Sequence, residues 1–166
     1  MNYDQARERI ETGDLIAVRG KEGLLTPFTK FFTRSPYTHV GIAFWMNGGL
    51  WMSEINGGRN HAIPLSQLAD SEFDVYERPP GLSIADMLEA INEALREKID
   101  YGYLSLPVIG LINFLGIKVF IHARRIMSCA GYSVMTYEAA GWPEHTRILS
   151  PRDLAALLKF KLAVRP

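Results

Sequence analysis

Thr38-His39-Val40-Gly41-Ile42-Ala43-Phe44-Trp45-Met46-Asn47-Gly48-Gly49-Leu50-Trp51-Met52-Ser53-Glu54-Ile55-Asn56 reads as a β-hairpin. β-Branched and aromatic residues lie on both sides of Asn47-Gly48. That pair favours a two-residue type I′ turn, because both central residues there need positive φ. With Asn47 and Gly48 as the loop, Met46 pairs with Gly49 and Trp45 with Leu50. Counting on sets Gly41 opposite Glu54 and His39 opposite Asn56. Side chains alternate along a strand. His39, Gly41, Ala43 and Trp45 therefore share a face with Leu50, Met52, Glu54 and Asn56. His39 and Glu54 become diagonal neighbours, about 7–8 Å apart by Cα and within side-chain reach. Gly41 puts no side chain between them. A three-residue Asn-Gly-Gly loop would shift the register by one and send Glu54 to the other face. Taken alone, a histidine at a strand end and a solvent-facing glutamate call for no function.

The chain has 166 residues, enough for one domain with a real core, and it is read as a single domain over 1–166. Hydrophobic residues make up 48% and charged residues 22%, close to ordinary globular values. Lys and Arg number 18, as do Asp and Glu, so the charge balance gives no electrostatic case for nucleic acid or an acidic membrane. Cys129 is the one cysteine, which allows no intramolecular disulfide and is compatible with a reducing compartment. Met1 to Arg9 is polar and charged, unlike a secretory signal. The expectation is a cytoplasmic protein, with delivery by phage or secretion machinery as the other route. Leu104 to Ile121 is rich in Leu, Ile, Val and Phe but is broken by Pro107, Gly110, Asn113, Gly116 and Lys118. A spanning helix needs about 20 mostly apolar residues. This run is expected to be a buried segment or the lining of an apolar pocket, and membrane contact is not favoured.

Along the chain, residues 3 to 11 suit a short polar helix and Leu15 to Val18 a buried strand. Leu24, Leu25, Phe28, Phe31 and Phe32 recur at helical spacing, with Pro27 near the start. After the hairpin, Gly57 to Asn60 reads as a turn and Ala62 to Leu68 as a short extended piece. Phe73 to Arg78 alternates as a strand that Pro79-Pro80-Gly81 stops. Ser83 with Asp86 resembles an N-cap pair, and Ile84, Met87, Leu88, Ile91 and Leu95 trace an amphipathic helix to about Lys98. Tyr101-Gly102-Tyr103 reads as a loop. Ser150-Pro151-Arg152-Asp153 opens a last helix, and Phe160 to Val164 closes the chain as a strand.

Ser128 suits a helix N-cap, which makes Cys129 the first residue inside a helix that Gly141 ends. A thiol there meets backbone N–H groups and the positive end of the helix dipole. Such a placement lowers a cysteine from about 8.5 to roughly 3.5–7.5, more so beside an imidazolium. The thiolate is the nucleophile, and the same N–H groups can donate to the oxyanion of a tetrahedral intermediate. The bland alternative is a buried cysteine acting as a small hydrophobe. A nucleophile at a helix start, a histidine on a strand and a carboxylate on the next strand are the parts of a cysteine-hydrolase triad. The other histidines fit less well: His61 falls in the Gly-rich turn, His122 sits beside Arg124 and Arg125, and His145 lies in a polar loop.

Gly13-Asp14-Leu15-Ile16, Tyr37-Thr38-His39-Val40-Gly41-Ile42, Trp51-Met52-Ser53-Glu54 and Ser128-Cys129-Ala130-Gly131-Tyr132 together resemble the circularly permuted branch of the NlpC-type papain-like hydrolases. YiiX-like proteins and lecithin:retinol acyltransferases belong to that branch. Papain-like chains usually run Cys, His, polar residue; this one runs His39, Glu54, Cys129, as the permuted branch does. Pro64-Leu65 and Ser150-Pro151-Arg152-Asp153-Leu154 are also similar, so the resemblance spans about residues 12 to 158. It implies an α+β fold in which an antiparallel, partly barrelled sheet carries the histidine and packs against the cysteine helix. YiiX-like chains often follow the cysteine with Ser-Glu, where Ala130-Gly131 stand here. Members or relatives cleave peptidoglycan-type peptides, hydrolyse amides or esters, or move acyl groups between lipids.

The resulting expectation is a thiol hydrolase with a catalytic triad of Cys129, His39 and Glu54, with Asn56 replacing Glu54 if the register differs. Tyr37, Asn56, Ser128 and Tyr132 are the candidate substrate contacts, for a small peptide, amide or acyl substrate. No cofactor is called for, and the four histidines lack the close ligand spacing of a zinc site. The alternatives are a lipid acyltransferase or thioesterase on the same triad, with Tyr101, Tyr103 and the 104–121 run lining an acyl pocket, and a non-catalytic module of a larger assembly.

Overall fold

The computed structural model describes residues 1–19, 35–56, 58–97, 99–101, 126–143 and 150–166. The elements are α1 (Tyr3–Arg7), β1 (Leu15–Arg19), β2 (Tyr37–Met46), β3 (Gly49–Asn56), β4 (Arg59–Pro64), a 3-10 turn (Leu65–Leu68), β5 (Phe73–Tyr76), α2 (Ile84–Arg96), β6 (Asp100–Tyr101), β7 (Ile126–Met127), α3 (Cys129–Ala139), α4 (Pro151–Leu157) and β8 (Phe160–Val164). The sequence-predicted helix over 24–32, the apolar run 104–121, Tyr103, His122 and His145 lie outside the described residues.

The hairpin forms as its turn chemistry dictates. Asn47 and Gly48 both take positive φ, 52° and 74°, and the ladder runs Met46↔Gly49, Trp45↔Leu50, Phe44↔Trp51, Ala43↔Met52 and Ile42↔Ser53. The even-length loop puts Ala43, Leu50 and Met52 on one face and Ile42 and Phe44 on the other, where two separate apolar clusters bury them. The sheet order is β7-β6-β4-β3-β2-β1-β5-β8. From β4 to β8 every pairing is antiparallel. The two-residue strands β6 and β7 extend the β4 edge, and they pair with each other in parallel. The fold is α+β. The family resemblance implies partial closure into a barrel, but the described strands form an open sheet: its end strands, β7 and β8, are not neighbours in the order.

Helices α2, α3 and α4 cover one face. Met87, Ala90, Ile91 and Ala94 of α2, Ala130, Tyr132 and Tyr137 of α3, and Leu154 and Ala155 of α4 pack with Leu15, Ala17, Val40, Ile42, Phe44 and Ile55. The other face is covered by the N-terminal segment and the 3-10 turn, through Ala6, Ile10 and Leu65. The Trp45 indole N–H donates to the Ile10 carbonyl at 2.8 Å, which fastens that layer to the hairpin. All three longer helices start with a serine cap. Ser83, Ser128 and Ser150 accept from the backbone N–H groups of Asp86, Gly131 and Asp153. Pro151 takes the first helical position, as expected.

Several details differ from the sequence reading. The extended piece expected over Ala62 to Leu68 ends at Pro64, and Leu65–Leu68 is a 3-10 turn. α1 stops at Arg7, because i→i+3 bonds from Arg9 and Ile10 tighten the chain into a turn. Ile84 of α2 is exposed rather than part of the packed stripe. Arg59, Asn60 and His61 are strand, not turn: β4 pairs with β3 along its whole length, from Asn56↔Arg59 to Trp51↔Pro64. Tyr101 belongs to β6, not a loop.

Two constraints in this framework are open to measurement. A Cβ on Gly41 would lie 2.7 Å from both the Met52 side chain and the Ser53 carbonyl oxygen. Gly41→Ala should therefore cost about 1–3 kcal/mol in urea unfolding, with an unchanged m-value. Buried Asp74 bonds Arg19, Arg165 and the Tyr37 hydroxyl. Burial opposes its charge, but these partners together hold the carboxyl below its usual range. A carboxyl depressed on folding stabilises the protein above its unfolded value of about 4, and this contribution is lost as pH falls through the folded value. Asp74→Asn should cost about 1–3 kcal/mol at neutral pH, less at acid pH, read from unfolding curves across the acid range.

Candidate active site

The site forms where two strands of the hairpin stop pairing. The β2–β3 ladder ends at Ile42↔Ser53. Beyond it β2 stays with β1, through Val18↔His39, and β3 stays with β4, through Glu54↔His61. Hydrogen-bonded and open pairs alternate in an antiparallel ladder, and the residues flanking a two-residue turn form a bonded pair. Counting from Met46, the Val40 N–H is aimed toward β3. In the fork it meets the Cys129 sulfur instead.

Ser128 places that sulfur. Its hydroxyl accepts from the Gly131 N–H at 3.1 Å, so α3 begins at Cys129 as expected. The helix packs on β2 and β3. Its serine and threonine hydroxyls are satisfied within the helix: Ser133 donates to the Cys129 carbonyl at 3.2 Å and Thr136 to the Tyr132 carbonyl at 2.9 Å. Cys129 is buried and free of any disulfide.

His39 and Glu54 bridge the fork. His39 Nε2 lies 2.6 Å from Glu54 Oε2. That leaves Nδ1 as the ring nitrogen for the thiol, with which His39 also hydrogen bonds. Glu54 is 3% exposed, so its charge exists inside the protein and needs partners. Burial pushes its carboxyl up, but the hydrogen bond and charge of His39, the charge of His61 and a hydrogen bond from Asn56 outweigh it, and the net shift is downward. Burial likewise works against the His39 imidazolium. Hydrogen bonds and charges from Cys129 and Glu54 win, and His39 is raised to about 10. Burial would raise the Cys129 thiol; the hydrogen bond and charge of His39, then the N–H groups of Val40 and Ala130, carry it below the usual thiol range. The favoured state is a thiolate beside an imidazolium, with a carboxylate behind it.

No protein-family model matches the chain, and no curated protein matches it significantly. Among solved structures, it is similar to the crystal structure of the metalloprotein yiiX from Escherichia coli O157:H7, DUF1105, with a TM-score of 0.57 and 19% identity over 80% of this chain and 67% of that one. The fold is YiiX-like. At that identity the likeness speaks for architecture, and the residues of this chain must carry any chemistry themselves.

The other site candidates fall out differently. Asn56 donates to Glu54 and so belongs to the carboxylate's surroundings. The Ser128 hydroxyl is engaged by its cap. The Tyr37 hydroxyl bonds Asp74 at 2.7 Å and Tyr76 at 2.6 Å, and burial with these contacts raises it well above the usual phenol range. Its polar end is committed to the framework. Tyr132 is 0% exposed and its hydroxyl pairs with Ser53 at 2.7 Å, so its polar end is committed to the core. His61, set aside from the sequence, is the addition. Its Nε2 lies 3.1 Å from Glu54 Oε1. The signal that could have found it is parity, since counting one more strand across Gly57-Gly58 puts His61 opposite Glu54.

Glu54→Gln removes the carboxylate that holds His39 charged. The onset of Cys129 alkylation by iodoacetamide should then move to higher pH, toward the free-thiol value of about 8.5. Following the rate across pH in both proteins, with unfolding curves as a control for folding, reads the shift directly.

Proposed function

We propose that the chain is a thiol-dependent hydrolase of amide bonds, of peptide or peptidoglycan type, with a papain-like triad in permuted order. The observation that carries the reading is the fork. Cys129 at the start of α3, His39 on β2 and Glu54 on β3 form one hydrogen-bonded line, with a main-chain N–H beside the sulfur. The order His39, Glu54, Cys129 along the chain is what a circular permutation of the usual papain-like order would give.

The Cys129 thiolate attacks the carbonyl carbon, and the electron pair of the C=O bond moves to oxygen. The helix-start N–H of Cys129 faces that oxyanion. The His39 imidazolium gives its proton to the leaving nitrogen, the C–N bond breaks, and a thioester to Cys129 remains. Neutral His39 then takes a proton from water as it attacks the thioester. The sulfur leaves as thiolate, and the acid product departs. Glu54 holds the ring through both steps and balances its charge.

The yiiX neighbour is described as a metalloprotein. The described residues here do not fit a metal centre. No three His, Cys, Asp or Glu among them are placed to share an ion, and His39 and His61 address opposite oxygens of one carboxylate.

The test is capture of the thioester. The protein is mixed with short L- and D-peptide amides and, in parallel, with fatty acyl esters, and the intact mass is followed. Release of amine and an acyl adduct at Cys129, absent in Cys129→Ala, is the expected result. His39→Ala should lose about 10²–10⁴-fold in turnover. Adducts from fatty acyl donors alone would replace the reading with lipid acyl transfer. No adduct from either class, with a thiol of ordinary reactivity, would make the chain a non-catalytic module. No helix among the described residues is long and apolar enough to cross a membrane.

A further inference from the structure

Tyr132 fills the core with its ring and carries a hydroxyl that the packing alone does not call for. It is 0% exposed, as is Ser53, and the two hydroxyls lie 2.7 Å apart. A phenylalanine would bury the same ring, so the hydroxyl adds direction rather than apolar area. A buried hydroxyl without a partner is costly, so each holds the other in place. Both ends of this bond lie next to the site. Tyr132 is one turn past Cys129 on α3, about 4.5 Å along the helix axis. Ser53 forms the last rung of the β2–β3 ladder, opposite Ile42, and Glu54 is the next residue on β3. Side chains alternate along a strand, so the two leave β3 on opposite faces, Ser53 toward Tyr132 and Glu54 toward His39.

We propose that Tyr132 is a positioning residue of the site: its hydroxyl bond to Ser53 sets the distance between the helix that carries Cys129 and the strand that carries Glu54. The inference rests on the thiol-hydrolase reading and adds to it the contact that fixes its geometry. Farther along α3, the Tyr137 hydroxyl donates to the Gly13 carbonyl at 2.9 Å. Near Cys129 the helix meets the sheet through apolar side chains, Ala130 and Tyr132 among Val40, Ile42 and Ile55. Apolar contact attracts without choosing a register, whereas a hydrogen bond weakens steeply once its geometry is lost. His39 arrives on the other prong of the fork and must meet Glu54 and Cys129 at once. With the helix seated off that register, the imidazole reaches one of them and not both. Among the described residues, His39 on β2 is the titratable group that lowers the Cys129 thiol, with Glu54 on β3 behind it. The thiol's titration therefore reports the seating of α3.

Tyr132→Phe and Ser53→Ala each cut the bond from one side and touch neither Cys129, His39 nor Glu54. Iodoacetamide alkylation of Cys129 across pH is the readout and needs no substrate. Parent, Tyr132→Phe, Ser53→Ala, the double variant and His39→Ala are run together, with unfolding curves to show that each is folded. In Tyr132→Phe the profile should move up by about one pH unit, so that the rate near about pH 6 falls roughly tenfold while the high-pH plateau stays within about twofold of the parent. Ser53→Ala should shift the same way, and the double variant no further than Tyr132→Phe alone, because all three lose one bond. Should Tyr132→Phe not fold, Ser53→Ala, the smaller change, reads the same bond. Profiles of the folded variants that overlay the parent's make the bond a matter of stability alone and overturn the inference, as does a double-variant shift equal to the sum of the singles. The Cys129–His39 pair stands in those cases if His39→Ala still abolishes the low-pH reactivity. A parent thiol that titrates at its ordinary value and ignores His39→Ala overturns both readings together.

Discussion

Everything at the site depends on the hairpin ceasing to be one. Were the β2–β3 ladder to continue past Ile42↔Ser53, the Val40 N–H would be taken up by β3 and no place would remain for a sulfur. The gap survives because each strand is held on its outer side. His39 is paired with Val18 on β1, and Glu54 with His61 on β4. The fork is thus fixed from outside, by the strands β1 and β4. The helix that enters it brings Cys129 together with the N–H groups of its first turn, which would be costly to bury against an intact sheet.

Burial opposes every charge in the line from Cys129 to Glu54. The charges therefore exist only as a set, each repaying the desolvation of the next. This differs from the Asp74 cluster, where a buried carboxylate is held between two arginines that are each about a third exposed, 34% and 37%. There the solvent shares the work, and the result is a structural tie between β1, β2, β5 and the C-terminal strand. The site has no such outlet, since Glu54 and Cys129 are both buried. Removing one member leaves the others uncompensated.

The parts of this arrangement governed by local chemistry were legible in the sequence. Asn47-Gly48 names its turn, the turn sets the parity, and parity puts His39 and Glu54 together. Ser83, Ser128 and Ser150 announce their helices by the same cap. What the chain hides is tertiary. β4 shows no alternation, because its residues after Arg59 are all half-buried, so a period of two has nothing to mark it and Gly57-Gly58 dominates the reading. α3 is buried nearly all round, and no polar face shows which way Tyr132 points. The end of the β2–β3 ladder has no local cause either: Val40 and Ile55 are ordinary strand residues, and what parts them is the packing of β1, β4 and α3 around them.

The two-residue turn also sets an order of assembly. His39 and Glu54 are 15 residues apart, joined by a hairpin whose closure needs little chain to be gathered. Cys129 reaches them only after a much longer loop has closed and a helix has docked, a contact of high sequence separation and hence slow to form. The His39–Glu54 pair is thus built before Cys129 arrives. Until α3 docks, Cys129 lacks the imidazole that lowers its thiol, so that pairing forms in the same step that completes the core.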